Sequence, residues 1–319
     1  MVEPRTPVAA PRSSPLAVTA AGLQFQNPVI LASGTAGYGR ELAGVIQLDA
    51  LGGLVTKAVS PEPRDGAPAP RVAEFDGGML NAIGLANPGL AVVRSDHLPW
   101  LASALHRARV IVNVVGRTVD DFIAVVEGLS TIDGMHAFEL NVSCPNTRKG
   151  GLEFGADPTA LTEIVSRARA ATRRPLFVKL SPALADIAAT ARIAADAGAD
   201  GITLVNTMPG LLIDVERRRP ALGFGSGGMS GAALLPVGVL ATWKVSRAVS
   251  LPIIGLGGIA SADDALQYML AGASLVGVGT AALRDPRAPL RIVRDLEAWC
   301  ENEGVKSLTE LTGTLQWPA

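Results

Sequence analysis

Short apolar runs alternate with longer amphipathic stretches along most of this chain. Eight of the runs read as strands: Pro28–Ala32, Gly53–Thr56, Val110–Val114, His136–Leu140, Pro175–Leu180, Gly201–Val205, Pro252–Gly255 and Leu275–Val278. Most carry Val, Ile or Leu at both odd and even positions, the mark of parallel strands buried on both faces. The stretches between them open on helix-start signals. Thr118 with Asp121 and Ser261 with Asp264 are spaced as capping pairs, while Asp157-Pro158 and Ser181-Pro182 each place a cap before a first-turn proline. A helix from about Gly231 carries Leu235, Val239 and Trp243 on one apolar stripe.

Eight strands, each followed by a helix, predict an α/β protein built as a closed (β/α)8 TIM barrel. The rival is an open, doubly wound sheet. It needs a glycine-rich phosphate loop after its first strand, and Ala32-Ser33-Gly34-Thr35 lacks that glycine spacing. Two connections are long, from Val59 to about Ala91 and from Met208 to about Ser230. Each follows a strand, so in a barrel both rise from the carboxyl-terminal face, where long loops act as lids or substrate clamps. No fixed-period repeat or linker divides the chain, and residues 16–319 are expected to form a single domain. Residues 1–15, rich in proline, arginine and serine, are expected to be a loose leader.

Composition narrows the function classes. Hydrophobic residues make up 48% of the chain and aromatics only 4%, which suits a compact enzyme with an aliphatic core. A net charge of −1 offers no field for nucleic acid or an anionic membrane. Arg217-Arg218-Arg219, framed by Asp214, Glu216 and Pro220, reads as a solvated hairpin tip. The two cysteines, Cys144 and Cys300, are too few for a disulfide framework, a zinc site or an iron–sulfur cluster, and point to a reducing, cytoplasmic compartment. Cys300 falls in an expected terminal helix and reads as packed. No run of about 18 apolar residues suggests a membrane span.

Polar residues interrupt the apolar strands almost only at their carboxyl ends. Ser33 ends the first strand, Lys57 the second, Asn113 the third, Asn141 the fourth, Lys179 the fifth, and Asn206 with Thr207 the sixth. Taken singly, each could cap backbone groups or reach water. Two ammonium groups and several carboxamides converging on one barrel mouth are better explained by a polar ligand. The last two strands end in Gly255-Leu256-Gly257-Gly258 and Gly277-Val278-Gly279-Thr280, turns whose backbone N–H groups can close on a phosphate. Cys144 lies in Asn141-Val142-Ser143-Cys144-Pro145-Asn146, just past the fourth strand, because Pro145 cannot donate to a ladder. A thiol between carboxamides can move a proton while the amides hold a planar polar substrate.

The segment Glu139–Asn146 resembles the active-site loop of class 1 dihydroorotate dehydrogenases. Thr56-Lys57, Glu62–Gly66, Met79–Gly89, Val178–Leu180, Val205–Thr207 and Gly227–Gly231 are similar to the same family in the same order, extending the likeness from about Leu16 to Leu315. The Met79–Gly89 form is most similar to class 1B, the NAD-linked type. The resemblance implies that FMN contacts Ser33, Lys57, Ala58, Asn113, Asn141, Lys179, Val205, Gly231, Gly257, Gly258, Gly279 and Thr280. Ala58 stands where the family often has a hydroxyl residue, so only a backbone contact is carried over there. The pyrimidine would be held by Lys57, Asn81, Ala82, Ile83, Gly84, Leu85, Asn141, Asn146, Asn206 and Thr207, with Cys144 as the base. The family further implies dihydroorotate and orotate as ligands and a homodimer core. It also implies a partner subunit carrying FAD and an iron–sulfur cluster; fumarate-dependent class 1A enzymes manage without one. Read from the residues alone, a flavin enzyme for another pyrimidine and a phosphosugar isomerase or lyase stay open. A dihydrouridine synthase is disfavoured by the lack of a basic surface or an RNA-binding domain.

Overall fold

The computed structural model describes residues 14–143 and 153–318. Its centre is a closed barrel of eight parallel strands: β1 Val29–Leu31, β2 Gly53–Val55, β3 Arg109–Val114, β4 Ala137–Asn141, β5 Leu176–Leu180, β6 Gly201–Leu204, β7 Ile253–Leu256 and β8 Leu275–Val278. β8 pairs with β1 and closes the ring. All eight match the runs read from the sequence, and the open-sheet alternative is excluded.

Alternation along each strand sorts the side chains into two populations. Val112, Val114, Phe138, Leu140, Val178 and Leu180 belong to the main core with residues of the surrounding helices, such as Phe122, Val126, Leu161 and Ile164. Residues of the opposite parity face the barrel axis. Ile30, Val55, Ile111, Ala137, Phe177, Ile254 and Leu275 form a separate inner cluster with Val18, Ala20 and Phe25. Those last three come from a hairpin, Val18–Ala20 paired with Leu23–Phe25. The Arg109 Nε–H donates to the Gln24 carbonyl at 2.7 Å, and Arg109 begins β3, so the hairpin plugs the amino-terminal end.

Most helix starts are where the caps place them. Thr118 and Ser261 form complete capping boxes with Asp121 and Asp264, and the Asp157 carboxylate accepts the N–H groups of Thr159 and Ala160 ahead of Pro158. Ser181-Pro182 does not start a helix. The Ser181 hydroxyl accepts the Ala183 N–H and closes a turn, and the helix begins at Ile187, where Asp186 caps Ala189. The helix Leu235–Ser246 also departs from expectation. Its buried residues are Gly238, Ala241, Thr242 and Val245, while the Leu235–Val239–Trp243 stripe is half-buried at its edge. Trp243 stacks on Trp317 with ring centroids 4.0 Å apart.

The two long connections pair with each other. Val72–Phe75, Gly78–Asn81, Gly227–Ser230 and Met208–Gly210 make a four-stranded antiparallel sheet, with Gly78–Asn81 and Gly227–Ser230 at its centre. Ile213–Asp214 pairs with Arg219–Pro220, so the triple-arginine segment does turn a hairpin. Cys300 is buried in the helix Ala288–Glu303. No helix among the described residues is long and apolar enough to cross a membrane.

Candidate active site

Two residues above the inner apolar cluster, the inward-facing positions become polar. Asn113 on β3 lies opposite Glu139 on β4, Asn141 opposite Lys179 on β5, and Lys179 opposite Thr203 on β6. Asn113, Glu139, Lys179 and Thr203 are all buried, so a polar layer floors the mouth of the barrel. The Asn113 carboxamide donates to Glu139 Oε1 at 2.7 Å, and Lys179 Nζ stands 3.9 Å from the same oxygen. Among the described residues, Asn113 Oδ1, Glu139 Oε2 and Thr203 Oγ1 find no hydrogen-bond partner. Buried polar atoms are seldom left unpaired, and three at the base of one concave mouth suit a polar ligand above them.

The rim comes from the strand ends. The Asn206 carboxamide donates to Asn141 Oδ1 at 3.2 Å, joining β4 to β6 across the top of β5, and Asn206 Oδ1 accepts the Thr207 N–H at 2.8 Å. Both carboxamides stay half-buried. Ser33 donates to the Thr56 carbonyl at 2.8 Å, and the Lys57 N–H donates to the Gly37 carbonyl, which ties the ends of β1 and β2 together. Ala58 is buried, and its carbonyl accepts the Tyr38 hydroxyl at 3.0 Å. Burial, then the charge of Glu41, pushes that phenol well above its ordinary range, so it remains a donor.

One wall of the mouth is the sheet made by the long connections. The Asn81 carboxamide donates to the Gly228 carbonyl at 3.2 Å. A Cβ on Gly228 would fall 2.0 Å from Thr207 Oγ1, so only glycine lets this sheet approach the β6 end. Ala82, Ile83, Gly84 and Leu85 follow as a loop braced on the preceding turn, where the Ala67 N–H donates to the Ile83 carbonyl at 3.1 Å. A second wall is glycine-rich. Gly257 and Gly258 follow β7, and Gly279 follows β8 and precedes the short helix Thr280–Arg284. A Cβ on Gly258, whose φ is +77°, would stand 2.6 Å from the Leu235 nitrogen. Thr280 Oγ1 donates to Ser230 Oγ at 2.8 Å, linking this wall to Gly231 and the sheet. Val205 is buried beside Asn206, joined to Leu204 by a cis peptide bond.

The described residues therefore gather Ser33, Lys57, Asn113, Asn141, Lys179, Asn206, Thr207 and both glycine turns at one end of the barrel. Cys144 and Asn146 lie outside the described residues. Sequence reasoning passed over Glu139, Thr203 and Ser230. Glu139 was detectable, since it is a carboxylate inside the apolar run Ala137–Leu140 with the same parity as Asn141. A groove of about 520 Å³, lined by Ile46, Leu48, Trp100, Leu105 and Arg107 among others, lies at the amino-terminal end and contains none of these residues. No group of three or more metal-binding side chains occurs among the described residues.

Comparison with known proteins agrees with this geometry. The family model for dihydroorotate dehydrogenase matches residues 15–299. A putative dihydroorotate dehydrogenase A (fumarate) of Solibacter usitatus is 47% identical over 302 residues, covering 95% of this chain and 99% of that protein. The catalytic subunit of dihydroorotate dehydrogenase B (NAD(+)) of Pelobacter propionicus is 46% identical over 301 residues, covering 94% and 98%. Its counterpart in Cutibacterium acnes is 47% identical over 296 residues, covering 93% and 96%. A match over most of the chain, with relatives this similar along nearly their whole length, shows that the chain belongs to the dihydroorotate dehydrogenase family.

Proposed function

We propose that this chain oxidises dihydroorotate to orotate in pyrimidine biosynthesis, with FMN in the barrel mouth and Cys144 as the base. The observation that carries the reading is the Asn141–Asn206 bridge above buried Lys179, at the end of the strand that precedes Cys144 in the sequence. The residues present fit the cofactor. Lys179 and Asn113 offer a donor and an unpaired acceptor for the polar edge of a flavin ring, and Gly257, Gly258, Gly279 and Thr280 offer turn N–H groups and a hydroxyl for a phosphate. Bound there, FMN supplies a two-electron acceptor for the hydride that leaves C6 of the substrate.

The chain's own residues do the rest. Asn81, Asn141, Asn146 and Asn206 match donors and acceptors to the alternating C=O and N–H groups of the pyrimidine, and Lys57 and Thr207 complete the hold. Ala82 to Leu85, in the loop after Asn81, would complete the surroundings of the ring. Cys144 takes the proton from C5; an ordinary thiol ionises near pH ~8.5, so a modest stabilisation of the thiolate suffices.

A partner subunit carrying FAD and an iron–sulfur cluster would supply the route for the electrons to NAD. Support comes from the Met79–Leu85 segment and from relatives named as NAD(+)-linked catalytic subunits. Direct use of fumarate is the second reading, favoured by the Solibacter relative. The test is anaerobic bleaching of the purified yellow protein by dihydroorotate, then re-oxidation by NAD or fumarate, with and without a co-purified partner. Release of FMN and bleaching by dihydroorotate are expected, with NAD effective only when the partner is present. A colourless protein, or one that dihydroorotate leaves oxidised, would sink the reading.

A further inference from the structure

The buried carboxylate of Glu139 has a place in this site that the reaction as described does not use. It is 1% exposed, faces the barrel axis, and has the apolar side chains of Ala137, Ile111 and Phe177 in the layer beneath it. Among the described residues it is the one ion-pair partner of Lys179. Removing a charge from water is costly unless geometry and further hydrogen bonds compensate, so an ion pair in a barrel interior is not explained by stability. Its spacing suggests another purpose. At 3.9 Å, Lys179 Nζ is too far from Oε1 for a hydrogen bond, whereas Asn113 occupies that oxygen at 2.7 Å. The carboxylate therefore balances the ammonium charge without consuming its N–H donors.

We propose that Glu139 is the positioning residue for Lys179. It holds the ammonium at the floor of the mouth, offsets part of its field, and leaves its donors turned toward whatever lies above. Asn113 is the strut that keeps the carboxylate at this distance. The inference rests on the flavin reading of the mouth, because it is there that the ammonium field has a measurable consequence. Reduction adds negative charge to the bound cofactor, and an ammonium offset by Glu139 favours the reduced form less than a bare one. Glu139 thus sets how strongly the site prefers reduced over oxidised cofactor.

The test is the midpoint potential of the bound flavin in wild type, E139Q, K179M and E139Q/K179M. In E139Q the preference for reduced over oxidised flavin should rise about tenfold, a shift of about +30 mV for a two-electron couple. K179M should shift it the other way, and adding E139Q to K179M should produce less than half of the single-variant change, because a buried carboxylate with no cation beside it does not keep its charge and has little field left to remove. E139D, which keeps the charge but draws it back, should fall between wild type and E139Q. An E139Q protein with the wild-type potential, or an equal shift in both backgrounds, would overturn the proposal.

Should E139Q fail to retain flavin, thermal unfolding of the four flavin-free proteins decides the matter. E139Q should lower the midpoint in the wild-type background and lower it much less when Lys179 is already Met. Equal losses in both backgrounds would show that Glu139 does not serve Lys179. A wild-type protein without flavin would instead refute the functional reading, while the unfolding cycle would still report on the pair.

Discussion

The same eight strands close the barrel at one end with apolar side chains and at the other with polar ones, and the two ends treat their polar groups differently. At the amino-terminal end, Val18, Ala20 and Phe25 cap a dry inner layer, and nearby polar groups are satisfied within the fold. Asp49 accepts the backbone N–H groups of His106, Arg107 and Ala108 at 2.8–2.9 Å. Burial raises its carboxyl, but those three hydrogen bonds outweigh that and hold it below the ordinary carboxylate range. At the carboxyl-terminal end, Asn113, Glu139 and Thr203 keep atoms in a buried layer that are unpaired among the described residues. Asp49 is satisfied internally and braces the barrel, whereas Asn113, Glu139 and Thr203 floor the candidate ligand site; Thr242, in the helix Leu235–Ser246, shows that an unpaired buried atom is not by itself a mark of the site. A (β/α)8 barrel separates these tasks by strand direction, because only the strand carboxyl ends open into the loops that carry chemistry.

The largest effect that can test this division is at Cys144. Replacing it with alanine should slow dihydroorotate-driven reduction of the bound cofactor by roughly 10²–10⁴-fold, the usual cost of losing a general base. The resting absorption spectrum and the unfolding midpoint should stay near wild type. Stopped-flow bleaching at the wild-type rate would remove Cys144 from the mechanism and leave the carboxyl-terminal end without its base.

The converse test is at Phe25, which is almost fully buried in the plug. Phe25→Ala should cost about 3–5 kcal/mol of stability, the range for large-to-small changes in well-packed cores. Measured well below its lowered unfolding midpoint, the variant should keep the wild-type affinity for orotate. A folded variant that has lost orotate binding would show that the two ends are coupled through the barrel interior.

The sequence made the apolar end and the strand frame easier to read than the chemistry between them. Eight runs with apolar residues at both parities can be little other than buried parallel strands, and the Thr118 and Ser261 boxes announce their helices by side-chain spacing alone. The sheet over the mouth gave no such signal. Its central pairing joins Asn81 to Gly228, 147 residues apart, through short glycine-containing strands with no apolar alternation. Glu139 was obscured for a different reason. Attention to strand ends picks out Asn141, whereas the carboxylate two residues earlier acts through parity, as a charge on the inward face of an apolar strand. In the helix Leu235–Ser246, burial of Gly238 reflects close approach to β7 and Tyr268, which a pattern of large apolar residues does not reveal.

A smaller effect is expected at the glycine wall. Gly258 has positive φ, and a Cβ there would meet a backbone nitrogen rather than a flexible side chain. Gly258→Ala should therefore weaken FMN binding by roughly tenfold to a hundredfold, since such backbone strain costs on the order of 1–3 kcal/mol. Titration of the flavin-free protein with FMN reads this directly. Unchanged FMN affinity would mean that the phosphate is held elsewhere, and the polar end would lose one of its two walls.

The smallest effect is a pH dependence at the amino-terminal end. His136 precedes β4, its Nδ1 accepts the Val110 N–H at 3.0 Å, and Arg109 Nη1 lies 3.3 Å from its Nε2. Burial first, then the charges of Arg109 and Arg174, lower its pKa from the ordinary value. The folded ring therefore resists a proton that the unfolded chain accepts near pH ~6.5. Below that value the unfolded state binds more protons, so stability should decline as pH falls, by at most about 1.4 kcal/mol per pH unit, until the folded ring is itself protonated. Well above it the contribution is constant. His97 is also lowered, by burial first, and adds a dependence of the same sign, so the informative quantity is a difference between proteins. Denaturant midpoints of wild type and His136→Gln, compared at about pH 5.5 and about pH 7.5, should show a narrower gap in the variant. The oxidised cofactor spectrum in the native baseline should not change with pH in either protein, because this proton acts at the end of the barrel away from the mouth. An equal gap in both proteins would show that His136 carries no linkage, and a spectral change tracking it would show that the two ends are not independent.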